Sequence, residues 1–275
     1  MKESELILNS DGSIYHLALL PEDIADTIIL VGDPDRVSKI SKHFDSIEIK
    51  KQRREFITHT GWIGQKRLTV ISSGIGTDNI DIVLNELDAL VNIDLVTRKI
   101  KSTHSSLTLI RIGTSGSVHP TIYCDDILVS RYAIGIYALG QFYGGEKLNH
   151  GLLPSWAYFS RAHDFDLTNF HSSYKEGITL TCPGFYAPQA RTLRIPLNHL
   201  LPFDDLHKIK IHGFSVTNME METAGIYLLA EKLGHRAISF NAILAERLSG
   251  RFSTDPNMVI QNLIRTTLDF AAGIV

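Results

Sequence analysis

Short apolar runs alternate along the chain with segments whose apolar residues recur at helical spacing. Thr27–Val31 is one such run, and it ends at Gly32. Val37, Ile40 and Phe44 then recur at i, i+3 and i+7, which predicts a strand, a tight turn and a helix in that order. Apolar strands that alternate with helices imply a central sheet covered on both faces.

The same order recurs further along the chain. An apolar run at 67–72 is followed by Gly74 and Gly76 and by helically spaced apolar residues from Ile80 to Leu87. Further elements are predicted as strands at 56–60, 107–110, 126–130, 178–181, 214–216 and 237–244, a helix through 226–233 and a last helix at 257–271. With no repeat and no linker, the pattern predicts one α/β domain over residues 1–275. Ligands of such sheets bind at the loops that follow the carboxyl ends of strands.

The composition is that of an ordinary folded protein. Of 275 residues, 44% are hydrophobic and 21% are charged, which excludes an intrinsically disordered chain. The net charge of −3 lacks the basic surplus that nucleic acid binding requires. No apolar run reaches about 18 residues, and the N-terminal segment lacks the apolar core of a signal peptide, so no membrane association is predicted. Cys124 and Cys182 fit no metal spacing, and we expect reduced thiols in a cytoplasmic protein.

Three arginines lie beside turns or glycine-bearing segments. Arg36 follows the Gly32 turn, where helix amides and the helix dipole favour an anion. Arg111 directly follows an apolar strand and precedes Gly113-Thr114-Ser115-Gly116, and Arg54 lies at the start of another strand. Taken singly, each segment also fits a turn or strand end with a solvated arginine. Taken together they predict a phosphate site, because converging guanidinium groups bind a phosphate dianion well.

Two carboxylates lie close together at the start of a predicted helix. Glu220 and Glu222 are two residues apart, and Thr217 or Asn218 is a candidate helix cap just before them. The segment fits an ordinary acidic helix start. It also fits a sugar site, in which a carboxylate accepts hydrogen bonds from vicinal hydroxyl groups.

An aromatic ring, an amide and a guanidinium lie within one short segment. Phe185, Gln189 and Arg191 would suit a flat heterocycle with a C=O, N–H, C=O edge, since the ring stacks and the polar groups donate and accept. A loop that packs its own aromatic residues is the alternative. His16 stands alone, and a structural role fits it equally well.

These motifs occur in an order that resembles the nucleoside phosphorylase family, which includes bacterial uridine phosphorylase and hexameric purine nucleoside phosphorylase. The resemblance covers nearly the whole chain and rests on Gly32-Asp33-Pro34-Asp35-Arg36-Val37, Arg54-Glu55-Phe56, Gly74-Ile75-Gly76, Arg111-Ile112-Gly113-Thr114-Ser115-Gly116 and Met219-Glu220-Met221-Glu222. It implies a three-layer α/β sandwich with a mixed, distorted barrel-like central sheet flanked by helices.

The resemblance also implies a role for individual residues. The implied phosphate-binding residues are Gly32, Arg36, Arg54, Arg111 and Thr114. The implied ribose-binding residues are His16, Glu220, Met221 and Glu222. Arg54 and His16 are implied to act in the site of a neighbouring subunit, so a homodimer is the expected minimal active unit. A hexamer is a larger assembly that the resemblance allows.

The base pocket separates the branches of the family. Phe185, Gln189 and Arg191 resemble the uracil-binding residues of uridine phosphorylase. Purine enzymes of the family place a catalytic aspartate just after the penultimate strand, where our alignment puts Ala245, with Glu246 one position away. The predicted reaction is therefore phosphorolysis of uridine to uracil and ribose 1-phosphate. Orthophosphate is the co-substrate, and neither a cofactor nor a metal is predicted.

Three other readings stay open: a purine or other nucleoside phosphorylase, a methylthioadenosine-type nucleosidase, and a nucleoside-binding protein without turnover. The arginine set disfavours a nucleosidase, which uses water in place of phosphate. Residues 94–106 resemble an insertion, and residues 132–175 diverge from the family. The family's monovalent cation near Glu55 is not predicted, because Asn79 stands where the family has a serine.

Overall fold

The computed structural model describes residues 1–198 and 201–274, and the chain divides into two compact units. The first unit comprises Met1–Ile110 and Leu229–Arg236, and the second comprises Arg111–Leu228 and the residues from Ala237 onward. Each unit is described in turn. The single domain over residues 1–275 stays a prediction.

The first unit is built on a mixed sheet. Its elements are β1 (Thr27–Val31), α1 (Pro34–Ser41), β2 (Ser46–Arg53), β3 (Phe56–Ile63), β4 (Lys66–Ser72), α2 (Thr77–Asn92), β5 (Ile93–Asp94) and β6 (Lys99–Ile100), with a 3₁₀ helix at Pro21–Asp23. The order across the sheet is β1–β4–β3–β2, in which β1 and β4 are parallel and β3 is antiparallel to both of its neighbours.

The strand–turn–helix orders predicted around Gly32 and Gly74 are both present. All five residues of β1 are buried, and Val37 and Ile40 of α1 are buried as well. Two details differ from the prediction. The mostly polar strand β2 was missed. β3 continues beyond the predicted 56–60, so Gly61 lies within the strand, at a position where any side chain would overlap the backbone of Ser46.

The inserted segment contains a small hairpin that contacts the start of the chain. β5 and β6 pair antiparallel, and Arg98 has a φ of 51° in the turn between them. The amino group of Met1 donates to the Arg98 carbonyl oxygen at 2.8 Å, and Arg98 Nε donates to the Leu6 carbonyl oxygen at 3.3 Å. The hairpin therefore holds the N-terminal segment in place.

The second unit contains most of the remaining strands. Its elements are β7 (Thr108–Ser117, which begins in the first unit), β8 (Ile127–Gly135), α3 (Leu139–Phe142), β9 (Glu146–Lys147), β10 (Tyr158–Arg161), β11 (Lys175–Thr181), β12 (Lys210–Ile211), β13 (Phe214–Glu220), α4 (Thr223–Leu233), β14 (Arg236–Glu246), β15 (Arg251–Phe252) and α5 (Pro256–Ala272), with 3₁₀ helices at Ala187–Gln189 and Phe203–Lys208. Both α4 and β14 include residues of the first unit.

Five strands of the described chain close into a barrel. They follow the order β13–β11–β8–β14–β7, and β7 pairs back to β13 through Ser117 with Asn218 and Gly116 with Met219. β11 is parallel to β8 and β13, whereas β14 is antiparallel to β8. The barrel-like mixed sheet of the predicted α/β fold is thus confirmed.

Two further predictions have outcomes here. In the described chain, no helix has the length and apolar character to cross a bilayer. Cys124 and Cys182 are both free thiols, as expected.

Candidate functional site

Two glycine turns lie side by side in the first unit. β1 and β4 are parallel neighbours, and the Ser73 amide donates to the Val31 carbonyl oxygen at 2.7 Å. A Cβ atom on Gly32 would lie 3.2 Å from the Gly74 carbonyl oxygen, and Gly74 itself has a φ of 70°. Both positions therefore favour glycine, and the turns follow the carboxyl ends of adjacent strands as expected.

Arg36 lies at the start of α1, directly after the first of these turns. The Asp33 side chain caps the helix by accepting from the Asp35 amide at 3.0 Å. Arg36 is buried, and its Nη2 lies 4.0 Å from an Asp33 carboxylate oxygen. A solvated surface arginine is therefore excluded for this position, while its phosphate role stays a prediction.

Arg54 occupies the turn between β2 and β3. It is exposed and has a φ of 54°, a backbone conformation that few non-glycine residues adopt. The neighbouring Glu55 carboxylate accepts a hydrogen bond from the Asn79 side-chain amide at 3.2 Å. The action of Arg54 on a neighbouring subunit stays a prediction.

His16 is held by a residue that the sequence analysis missed. The Glu86 carboxylate of α2 accepts from the backbone amides of His16 and Leu17 at 2.9–3.0 Å and lies 2.6 Å from His16 Nδ1. A carboxylate accepts hydrogen bonds only, so His16 carries a proton on Nδ1. Nε2 is the nitrogen left for other contacts. The apolar spacing of α2 gave no sign of Glu86, since its partner lies 70 residues away.

Arg111 lies within a strand, which corrects the expectation of a glycine loop after one. β7 continues through Thr108–Ser117, so Gly113 and Gly116 are strand residues. Gly113 is needed for the Arg111 side chain, because a Cβ there would lie 1.7 Å from Arg111 Nη1. The alternative of a surface arginine is excluded too, since Arg111 is only 5% exposed.

Arg111 is paired with both predicted carboxylates. Its Nη2 lies 2.7 Å from Glu222 Oε2 and 3.1 Å from Glu220 Oε2, and all three side chains are buried. Burial lowers the pKa of Arg111, but the charges of Glu220 and Glu222 outweigh it and raise the pKa above its ordinary value. The guanidinium is thus permanently charged and fixes the position of Glu222.

Glu220 caps the start of α4. The sequence pattern had assigned this capping role to Thr217 or Asn218. Its Oε2 accepts from the amides of Glu222 and Thr223 and from the Thr223 hydroxyl at 2.8–3.0 Å. Its Oε1 accepts from the Thr181 hydroxyl at 2.6 Å. The cap was misassigned because β13 continues through Thr217 and Asn218 to Glu220, so those two residues are strand residues.

Thr114 and Met221 complete the predicted residues beside these charges. Thr114 lies on β7 between two buried neighbours, Met221 lies between Glu220 and Glu222, and both side chains are partly exposed. The roles of Thr114 in phosphate binding and of Met221 in ribose binding stay predictions.

The three predicted base-binding residues are brought together. Arg191 Nη1 donates to Gln189 Oε1 at 2.6 Å and to the Phe185 carbonyl oxygen at 2.7 Å, and the guanidinium carbon lies 3.7 Å from the centre of the Phe185 ring. The 3₁₀ helix Ala187–Gln189 and Ala190, with a φ of 55°, turn the chain so that residues 189 and 191 meet. The ring, the amide and the guanidinium thus contact one another, and their role in binding a base stays a prediction.

Arg247 supports this turn and was not identified from the sequence. Its Nη1 donates to the Gln189 carbonyl oxygen at 2.9 Å, and its guanidinium stacks on the Phe203 ring at 4.8 Å. Burial and the nearby charge of Arg247 lower the pKa of Arg191 to about 10. A cavity of about 850 Å³ opens beside Arg191, with Tyr137, Trp156 and Tyr186 in its wall.

A chain of hydrogen bonds runs through all five barrel strands. Its members are Arg111 and Ser115 on β7, Asn241 on β14, Ser130 on β8, Thr179 on β11 and Asn218 on β13. The successive distances from Arg111 through Asn241, Ser130, Thr179 and Asn218 to Ser115 are 2.9, 3.1, 2.5, 2.8 and 2.8 Å. All six side chains are buried. We call this set the polar ring.

Comparisons with known proteins identify the family. Residues 26–268 match the Phosphorylase superfamily, so the chain belongs to that superfamily. The chain is 30% identical to the uridine phosphorylase of Thermococcus kodakarensis over 250 residues, which are 88% of this chain and 80% of that protein. It is 26% identical to the DeoD-type purine nucleoside phosphorylase of Levilactobacillus brevis, with 94% and 98% covered.

A solved structure supports the same assignment. The Trypanosoma brucei nucleoside phosphorylase, described as showing uridine phosphorylase activity, superposes with a TM-score of 0.87 at 27% identity and covers 98% of this chain and 100% of its own. The resemblance to nucleoside phosphorylases is confirmed, and with it an enzyme of the pentosyltransferase class.

Proposed function

We propose that the protein cleaves pyrimidine nucleosides, converting uridine and orthophosphate to uracil and ribose 1-phosphate. The observation that carries the proposal is the contact of Arg191 with Gln189 beside the Phe185 ring. A guanidinium only donates, so Gln189 Oε1 faces Arg191 and the amide nitrogen is directed elsewhere. That amide and Arg191 would read the oxygens of uracil.

The missing purine acid also supports a pyrimidine substrate. Our alignment puts Ala245 where the purine enzymes of the family place an aspartate, and its neighbour Glu246 is engaged elsewhere. The Glu246 carboxylate accepts from Arg251, from the Ser249 hydroxyl and from the Cys124 amide at 2.6–3.1 Å. Glu246 is thus a poor substitute for the aspartate.

The proposed chemistry balances without a general acid from the protein. A phosphate oxygen forms a bond to the anomeric carbon of ribose as the bond to N1 of uracil breaks, and the electron pair leaves with the base. Arg191 and Gln189 would stabilise the charge that develops on the carbonyl oxygens. Glu222, held by Arg111, would orient the ribose hydroxyl groups. The uracil anion then takes a proton from water.

The decisive assay is uracil release with and without phosphate. The enzyme should release uracil from uridine only when phosphate is present, with ribose 1-phosphate as the second product. Equal release without phosphate would indicate a nucleosidase. Turnover of inosine or adenosine in preference to uridine would indicate a purine enzyme, and binding without turnover would indicate a nucleoside-binding protein.

The roles of Gly32, Arg36, Arg54, Arg111 and Thr114 in phosphate binding stay predictions from the resemblance. So do the ribose contacts of His16, Glu220 and Met221 and the homodimer, while the cytoplasmic location stays a prediction from the cysteine content. Substitution of Gly32, Arg36, Arg54 or Thr114 should raise the KM for phosphate more than the KM for uridine, whereas substitution of Arg111, which also holds Glu222, should raise both KM values. Equal increases of both KM values in the first four variants would argue against these assignments.

The proposed exchange of Arg54 and His16 between subunits has its own test. An Arg54→Ala subunit mixed with a Glu222→Ala subunit should regain activity, because a heterodimer would contain one intact site. Verified heterodimers without regained activity would contradict it.

A further inference from the structure

Asn241 accepts from a different guanidinium nitrogen of Arg111 than the one that contacts the two carboxylates. Arg111 Nη2 is bound by Glu220 and Glu222, whereas Nη1 donates to Asn241 Oδ1 at 2.9 Å and to Ser239 Oγ at 3.4 Å. We propose that Asn241 is a positioning residue for the reaction, which sets the orientation of the Arg111 guanidinium and, through it, the position of Glu222. The inference rests on the function proposed above.

The orientation of the Asn241 amide is determined by chemistry alone. Arg111 has no acceptor, so the oxygen of Asn241 must face it and the amide nitrogen must face Ser130. The amide nitrogen donates to Ser130 Oγ at 3.1 Å and to Ser239 Oγ at 3.3 Å. Asn241 therefore has no alternative orientation that keeps both contacts.

The rest of the polar ring points the same way. The Thr179 hydroxyl donates to Asn218 Oδ1, so the Ser130 hydroxyl must be the donor to Thr179. Donation then runs in one direction from Arg111 through Asn241, Ser130, Thr179 and Asn218 to Ser115. A charged donor at the start of such a chain polarises the bonds after it, most of all the first one, from Arg111 to Asn241.

Without the Asn241 acceptor, the two carboxylates that contact Nη2 would determine where the guanidinium lies. Of its contacts with Asn241 and Ser239, Nη1 would keep only the longer one, to Ser239 Oγ. The guanidinium would then turn towards Glu220 and Glu222, and Glu222 would move with it. Displacement of an orienting group by about 1 Å can lower a reaction rate about 10²-fold.

Asn218 is the matched control for Asn241. Both are asparagines of the polar ring with no exposed surface, and both donate and accept within it. Asn218 contacts Ser115, Thr179 and Thr217, and none of these is a predicted site residue. A purely structural role predicts similar effects from the two positions.

The experiment compares Asn241→Leu and Asn218→Leu in the whole protein, with melting temperatures and steady-state kinetics per folded enzyme. We expect similar losses of melting temperature. The value of kcat/KM for uridine should fall about 10²-fold in Asn241→Leu and stay within about twofold in Asn218→Leu. Equal kinetic effects at both positions would overturn the proposal. If either leucine variant does not fold, the alanine variants serve the same comparison.

A conservative variant gives the second readout. Asn241→Asp keeps an acceptor for Arg111 but loses the donor to Ser130, as Asn241→Leu does. It should regain most of the lost kcat/KM, and a value as low as that of Asn241→Leu would contradict a role through Arg111. If inosine turns over in place of uridine, the proposed base preference fails, while the same variants assayed with inosine still test Asn241.

Discussion

The two units hold their candidate site residues in different ways. In the first unit, Gly32, Arg36 and Arg54 lie on turns and at a helix start, beside an apolar sheet. In the second, Arg111 and Glu222 are buried, and Arg111 lies on a barrel strand within the polar ring. Residues on turns are placed by local backbone geometry. Buried charges are placed by one another, so a change at one of them should disturb the rest.

The largest expected difference concerns the two buried arginines. Arg111→Met leaves two buried carboxylates without their cation and should lower the free energy of unfolding by about 3–5 kcal/mol. Arg36→Met should cost less, because the Asp33 carboxylate that lies 4.0 Å from Arg36 is 43% exposed and stays hydrated without the arginine. Urea denaturation of both variants at pH 7 measures the difference. Equal losses would mean that Arg36 is as dependent on its surroundings as Arg111.

Two glycines sharpen the comparison. Gly113→Ala would place a Cβ 1.7 Å from Arg111 Nη1 and displace the guanidinium, whereas Gly32→Ala meets the Gly74 carbonyl oxygen at 3.2 Å. We expect Gly113→Ala to lower the unfolding free energy by about 1–3 kcal/mol and kcat/KM about 10²-fold. Gly32→Ala should have a smaller effect on both. A Gly113→Ala enzyme with wild-type kinetics would show that Arg111 tolerates displacement.

Within the first unit, His16 differs from the residues on turns, because the Glu86 side chain holds it in place. Glu86→Gln replaces a carboxylate that accepts from two amides and the His16 ring, and should lower the unfolding free energy by roughly 1 kcal/mol. If Glu86 acts through His16, the activity losses of Glu86→Gln and His16→Ala should not add in the double variant. Additive losses would separate the two residues.

The smallest expected effect is a shift in pH dependence. The pKa of Arg191 lies at about 10, lowered by burial and by Arg247, so its charge is lost as pH rises through that value. Arg247→Gln removes one positive charge, which should raise the pKa of Arg191 and preserve its charge at higher pH. The ratio of kcat/KM between Arg247→Gln and wild type should then rise above about pH 9. Ionisation of uridine itself cancels in that ratio, and a flat ratio would exclude the coupling.

The local pattern was enough to predict the strand–turn–helix units and to select candidate site residues. Apolar spacing located β1, α1 and β4, because their side chains face a common core. The glycine turns and the cluster of Phe185, Gln189 and Arg191 could be found because their members lie close together in sequence. The mostly polar β2 and the full length of β7 were missed, since both depend on partner strands.

The sequence by itself determined which residue types were available, and its order of motifs indicated the family. Only the tertiary structure decided that Arg111 is a buried strand residue, that Glu220 caps α4 and that Asn241 faces the guanidinium. Arg111 is 111 residues from Glu222 and 130 residues from Asn241 in the chain. Pairing of that kind follows from how barrel strands align, and no local spacing of polar and apolar residues encodes it.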